Sequence, residues 1–158
     1  MRVQDYAAEM TEWAVGNFYR NVERVPADKL DWKVLDKGRS VLDQVQEVAR
    51  SPLWTVPMLR DKSAQPYDPE RIARMKEEMA QWTSIDRCKE MHYANLGPLL
   101  EAIRGLSDED LLTSIEVPFA SEPVALGSII MFHYWNVVYH LGQILFIQTL
   151  YDDHEMAF

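Results

Sequence analysis

From Pro123 to Tyr151 the chain reads PVALGSIIMFHYWNVVYHLGQILFIQTLY, with no Asp, Glu, Lys or Arg. At 3.6 residues per turn this is roughly eight turns of potential helix. Apolar side chains, among them Ile129, Phe132, Val137, Leu141, Ile144 and Phe146, fall on every side of it. A helix that is apolar all round is a buried helix, so its few polar side chains are the informative ones. His133, Asn136, His140 and Gln143 follow one another at intervals of three, four and three. Those intervals set all four on one line of an α-helix. A buried amide or imidazole left unpaired costs about 1–3 kcal/mol. Facing polar side chains, ordered water, a metal or a ligand must therefore meet this line.

The run is long enough to span a bilayer, for which about 20 apolar residues suffice. Its interior polar side chains and the lack of basic flanks argue against a span. The expectation is a central helix in a water-soluble fold. The whole chain has 158 residues and a formal net charge of −9. That length reads as one domain, residues 1–158, able to bury a full core. Basic residues are not clustered, so a nucleic-acid footprint is absent. The acidic balance also disfavours anionic membrane surfaces. The single Cys88 excludes an internal disulfide framework and a Cys-rich zinc site. It is compatible with a reducing compartment, and its surroundings read as those of a bland thiol rather than a nucleophile. The charged N-terminus MRVQDYAAEMTEW lacks the apolar core of a secretion signal. A cytoplasmic location is the expectation.

Helical periodicity runs from Val3 to Val22, with Tyr6, Met10, Trp13, Ala14, Asn17 and Phe18 as an expected core stripe. Pro26 breaks it, and a connector leads to Ser40. Ser40 is a good N-cap with Asp43 in the following turn, so a second helix is expected from Val41 to Arg50. Pro52 ends that helix or opens a short further turn. Asp68 and Pro69 start a third helix, read as continuing to about Arg104, with Gly97 and Pro98 as a kink or interruption. His92 on it is expected to be partly exposed, because no other ligand type lies three or four residues away on an apolar face. TSIEVPF has strand-like alternation. The fourth helix follows ASEP and ends near Asp152, and the tail is expected to be poorly anchored. Four helical patterns with moderate connectors argue for an all-α four-helix bundle.

The core of such a bundle is a common place for a metal held by side chains of facing helices. Imidazole with carboxylate or amide oxygen suits zinc, nickel or iron. Asn136 and His140, four apart, are spaced to share one ion. His133 and His140, seven apart, are separated by about 10.5 Å along the axis and are poorly placed to do so. No H-E-x-x-H, Gly-rich phosphate loop or G-x-S-x-G is present.

FHYWNVVYHLGQILFIQTLYDD resembles the final helix of the DinB-like (DinB/YfiT-like) superfamily, most specifically at YHLGQI, Tyr139 to Ile144. KLDWKVLDKGRSVLDQVQEVA resembles that family's first connector and second helix, and IRGLSDEDLLTSIEVPF the stretch before its last helix. The resemblance implies an up-down-down-up four-helix bundle, usually dimeric. It also implies a divalent metal held by three histidines, one on the second helix and two on the last. Some relatives are thiol transferases or act on thiol adducts. In this chain His140 matches the last histidine, Asn136 stands where the other is expected, and the second-helix position falls on Glu47, with Gln44 as its alternative.

Two functions are thus expected in competition. One is a metal-dependent enzyme of thiol-transferase or hydrolase type, with His140, Asn136 and Glu47 as ligands, His133 as ligand or proton carrier, and Gln143 behind them. The other is a non-catalytic bundle that has lost the metal and binds a small molecule or protein through the same line. A homodimer is expected in either case, from the surplus of large apolar residues including Trp13, Trp54, Trp82 and Trp135.

Overall fold

The computed structural model describes residues 1–35 and 37–158; Asp36, inside the expected first connector, lies outside the described residues. Seven α-helices and one short β-pair make up the described fold. They are α1 (Val3–Val22), α2 (Val41–Arg50), α3 (Pro52–Arg60), α4 (Pro69–Ala80), α5 (Ile85–Arg104), β1 (Ser114–Ile115), β2 (Val124–Ala125), α6 (Leu126–Ile129) and α7 (Phe132–Thr149). The bundle consists of α1, α2 continued by α3, α5 and α7.

Helix directions follow from side chains that meet across the core. Gln46 Nε2 donates to the Trp82 carbonyl just before α5, while Arg60 donates to the Pro98 carbonyl late in α5, so α2–α3 and α5 run parallel. Gln4 at the start of α1 donates to the Leu106 carbonyl just after α5, and Tyr19 near its end meets His92, so these two helices are antiparallel. Asn21 and Gln148 join the ends of α1 and α7, which run side by side in the same direction. Ser51 meets His133 and Gln44 meets His140, so α2 and α7 are antiparallel. The order is up-down-down-up, as the resemblance implies.

Local chemistry sets the element limits. Ser40 Oγ accepts from the Asp43 amide (3.1 Å) and starts α2 where the cap pattern placed it. The helix expected to run unbroken from Pro69 to Arg104 is two helices. Ser84 Oγ accepts from the Arg87 amide (3.2 Å) and begins α5 anew, while Trp82 drops into the core between them. No residue of α4 is fully buried, in keeping with its many charges. The final apolar run also breaks: Val124–Ala125 pairs antiparallel with Ser114–Ile115, α6 makes one turn, and α7 starts afresh after Met131.

Two expectations about burial are corrected. Tyr6 and Trp13 lie outside the core, which α1 reaches through Ala14, Val15, Phe18, Tyr19 and Val22. α7 likewise buries His133, Val137, His140, Ile144 and Ile147 but leaves Trp135, Tyr139 and Phe146 in solvent. Helix α7 is apolar all round yet buried on one side only. The tail is anchored, contrary to expectation. Asn21 clamps the Ala157 backbone at both N–H and carbonyl, and Arg24 pairs with Asp153 and Glu155. No helix among the described residues is long and apolar enough to cross a membrane.

Candidate metal centre

The second helix delivers Gln44 and Glu47, and its C-cap residue Ser51, toward α7, at the three- and four-residue steps that share one face. α7 answers with the polar line at its own three- and four-residue steps. Antiparallel packing matches the two rows in reverse order. Gln44 and Glu47 meet His140, Glu47 also meets Asn136, and Ser51 meets His133.

Three of the four candidate ligands converge. His140 Nε2 lies 3.1 Å from Glu47 Oε1, and Asn136 Nδ2 lies 3.3 Å from the same oxygen. His140 is almost fully buried. Its other nitrogen, Nδ1, faces two amide oxygens, Gln143 Oε1 at 2.8 Å and Gln44 Oε1 at 3.2 Å. With both amide oxygens turned to Nδ1 the ring proton sits there and Nε2 offers its lone pair; with an amide NH2 turned to Nδ1 instead, Nε2–H donates to Glu47 Oε1. In the first arrangement a bound cation between Nε2 and the carboxylate oxygen makes the approach favourable; in the second the 3.1 Å contact is a hydrogen bond. Glu47 Oε2 is held separately by Arg39 Nη1 at 2.6 Å, and Arg39 Nε also binds Asp43. The hydrogen bond to His140, with the guanidinium alongside, lowers the Glu47 pKa to about 2 against the opposing effect of partial burial.

His133 does not join this trio. Its Nδ1 lies 2.5 Å from Ser51 Oγ, and its Nε2 lies 2.9 Å from His92 Nε2. His92 Nδ1 in turn lies 3.0 Å from the Tyr19 hydroxyl. Tyr19, His92, His133 and Ser51 form one hydrogen-bonded chain through the bundle. His92, expected to be partly exposed, is fully buried. Its own helix offers it no partner; its partners, Tyr19 and His133, come from α1 and α7. Burial lowers the His92 pKa to about 3 and holds His133 well below its ordinary value, with the nearby His92 adding to the effect. Both imidazoles are therefore neutral at physiological pH. Cys88 is buried too, and burial raises its pKa to about 11, so it stays a thiol.

No protein-family model matches the sequence, and no curated protein does. Among solved structures, YfiT from Bacillus subtilis, described as a probable metal-dependent hydrolase with an unusual four-helix bundle topology, superposes with a TM-score of 0.69. The match covers 94% of this chain and 87% of YfiT at 19% identity. The chain has the four-helix bundle fold of YfiT. At this identity the likeness is one of fold, and the chemistry rests on this chain's own side chains.

Within this bundle no cluster of three His, Cys, Asp or Glu side chains is gathered among the described residues, because the third member of the trio is an amide. The donor set nevertheless fits a divalent ion. Separations of 3.1 and 3.3 Å match adjacent donors around one ion at bond lengths of roughly 2.0–2.2 Å. Asn136 Oδ1 is buried without a partner. Turning the amide over brings that oxygen to the place of Nδ2, beside His140 and Glu47. One imidazole, one carboxylate and one amide oxygen make a harder set than three histidines.

Proposed function

We propose that this chain is a metal-dependent enzyme of hydrolase type, with a divalent ion, zinc, nickel or iron, held by His140 Nε2, Glu47 Oε1 and Asn136 Oδ1. The observation that carries the reading is the convergence of His140 Nε2 and the Asn136 amide on Glu47 Oε1 at 3.1 and 3.3 Å, with Asn136 Oδ1 buried and unpartnered among the described residues and Nδ1 of His140 held by Gln44 and Gln143. The description of YfiT as a probable metal-dependent hydrolase supports it. When bound, the ion would supply Lewis acidity, making a water or thiol nucleophilic at neutral pH. The chain's own residues do the rest. Gln44 and Gln143 fix the imidazole tautomer, as outer partners of metal-binding histidines do. Arg39 takes one carboxylate oxygen of Glu47 and so directs the other inward.

Metal analysis of untagged protein, purified without a nickel column, tests the reading. About one ion per chain is expected. An ion-free chain whose stability is unchanged by chelator would favour the alternative, an imidazolium–carboxylate pair in a non-catalytic bundle that binds a small molecule or protein.

We also propose a homodimer. Trp135, Tyr139, Phe146 and Leu150 form an exposed stripe on α7, and Trp13 is exposed on α1. An isologous interface would bury such a stripe against its copy. Sedimentation should give twice the chain mass at micromolar concentration and a single chain for Phe146→Glu. With its one cysteine reduced and buried, the chain suits the cytoplasm.

A further inference from the structure

Beside the trio opens a cavity of about 530 Å³, within the range of roughly 300–1,000 Å³ typical of small-molecule sites. Trp54, Tyr67, Phe119, Met131, Phe132 and Trp135 supply its walls, and none of the described residues lining it is charged. Trp54 packs on Tyr67 at 4.8 Å between centroids, and Phe119 on Phe132 at 5.6 Å. Asn136 of the trio and Ser51 at the end of the buried hydrogen-bonded chain both line the cavity.

The direction of that chain decides what Ser51 offers. Two neutral imidazoles meeting Nε2 to Nε2 share a single proton, so all links point the same way. If they point toward Tyr19, its oxygen accepts from His92, and the phenolic proton is left buried with no partner among the described residues. A buried donor left unpaired makes that arrangement the less favourable one. If they point toward Ser51, Tyr19 donates to His92 Nδ1, His92 Nε2 donates to His133 Nε2, and His133 Nδ1 donates to Ser51 Oγ. The hydroxyl proton of Ser51 is then free, and Ser51 is the member of the chain that reaches the cavity wall. The second arrangement leaves no buried donor unpaired. Ser51 therefore presents a donor at the polar end of an apolar cavity, adjacent to Asn136.

We propose that the molecule recognised here is an uncharged carbonyl compound, such as an ester or amide, with an aryl or alkyl tail. The tail occupies the aromatic cavity, and the carbonyl oxygen accepts from Ser51. Calling this molecule the substrate rests on the hydrolase reading; its binding does not. Ser51 acts as a binding residue, and Tyr19, His92 and His133 are positioning residues acting through it.

Equilibrium dialysis of butyrophenone and of butylbenzene against chelator-treated wild-type chain tests the proposal without any turnover. The two probes match in ring and chain length and differ in the carbonyl. Butyrophenone should bind about five- to tenfold more tightly, the worth of one hydrogen bond. Ser51→Ala should abolish or invert that preference while leaving butylbenzene affinity unchanged, and Ser51→Thr should retain it. Tyr19→Phe, confirmed folded by circular dichroism, should shrink the preference although Tyr19 does not line the cavity. Equal affinity for the two probes in wild type, or binding of neither, would overturn the proposal. An undiminished preference in Ser51→Ala would remove Ser51 from it, and one in Tyr19→Phe would remove the directing role of the buried chain. Because chelated protein is used, failure here is distinguishable from failure of the metal reading, which metal content alone decides.

Discussion

His133 and His140 sit on the same helix and are both buried, yet they live in opposite chemical settings. His140 is surrounded by oxygen acceptors, one of them anionic and fastened to Arg39. His133 is surrounded by another imidazole and a hydroxyl, with no charge in contact. The difference comes from the partner helices. Opposite His140, α2 presents Gln44 and Glu47; opposite His133 it presents Ser51, and α5 adds His92. A histidine becomes a candidate cation ligand when its surroundings supply negative charge and fix the far nitrogen. Without charge it becomes a neutral link in a hydrogen-bonded chain.

Exchanging these settings by mutation should therefore give unlike results. The largest effect is expected for His140→Ala, which should take bound metal from about one ion per chain to none, read by plasma mass spectrometry. Full occupancy in that variant would erase the distinction between the two sites. His133→Ala should leave metal content intact and lower unfolding free energy by about 1–3 kcal/mol, since His92 and Ser51 lose a partner. Urea denaturation with parallel metal analysis measures both, and loss of the ion there would merge the two settings into one.

A smaller and more diagnostic effect lies in the acid dependence. Unfolded, His92 takes up its proton near 6.5; folded, only at about 3. Between those values the unfolded state binds more protons, so stability is full above pH 6.5 and declines as pH falls toward 3. Glu47 works in a lower window: its contribution is present above pH 4.5 and lost as pH falls through about 2. Urea midpoints should therefore begin to drop below pH 6.5, before Glu47 responds. His92→Gln should be less stable overall but show a flatter profile between pH 6.5 and 4.5. An unchanged slope in that variant would assign the early acid sensitivity elsewhere.

Much of this was legible in the sequence wherever a local rule decided the outcome. The limits of α1, the Ser40 cap of α2 and the polar line of α7 all follow from period and capping. Glu47 came from resemblance, and the structure seats it against His140. Features set across the core were not legible. His92 has no ligand-type neighbour on its own helix, so its burial against Tyr19 and His133 left no trace in spacing. Tyr6 and Trp13 share the periodicity of Ala14 and Phe18, and only the seating of α1 against α5 and α7 separates inward from outward. The break between α4 and α5 did carry a signal: Ser84 followed by Ile85 and Asp86 is a helix start. It was masked by the helical pattern on both sides.

The parallel pairing of α1 with α7 has a consequence for synthesis on the ribosome. The first long helix to emerge must wait for the last before its flank is covered, and Glu47 waits for His140, 93 residues downstream. No earlier portion of the chain contains both halves of the trio or closes the groove between α1 and α2. Contacts this distant are late and slow to form, and the waiting apolar faces are exposed to mispairing in the meantime. A nascent chain halted before Phe132 would therefore be expected to depend on chaperones and to be readily cut by proteases, and the proposed ion could be taken up only once α7 has emerged and packed on α2.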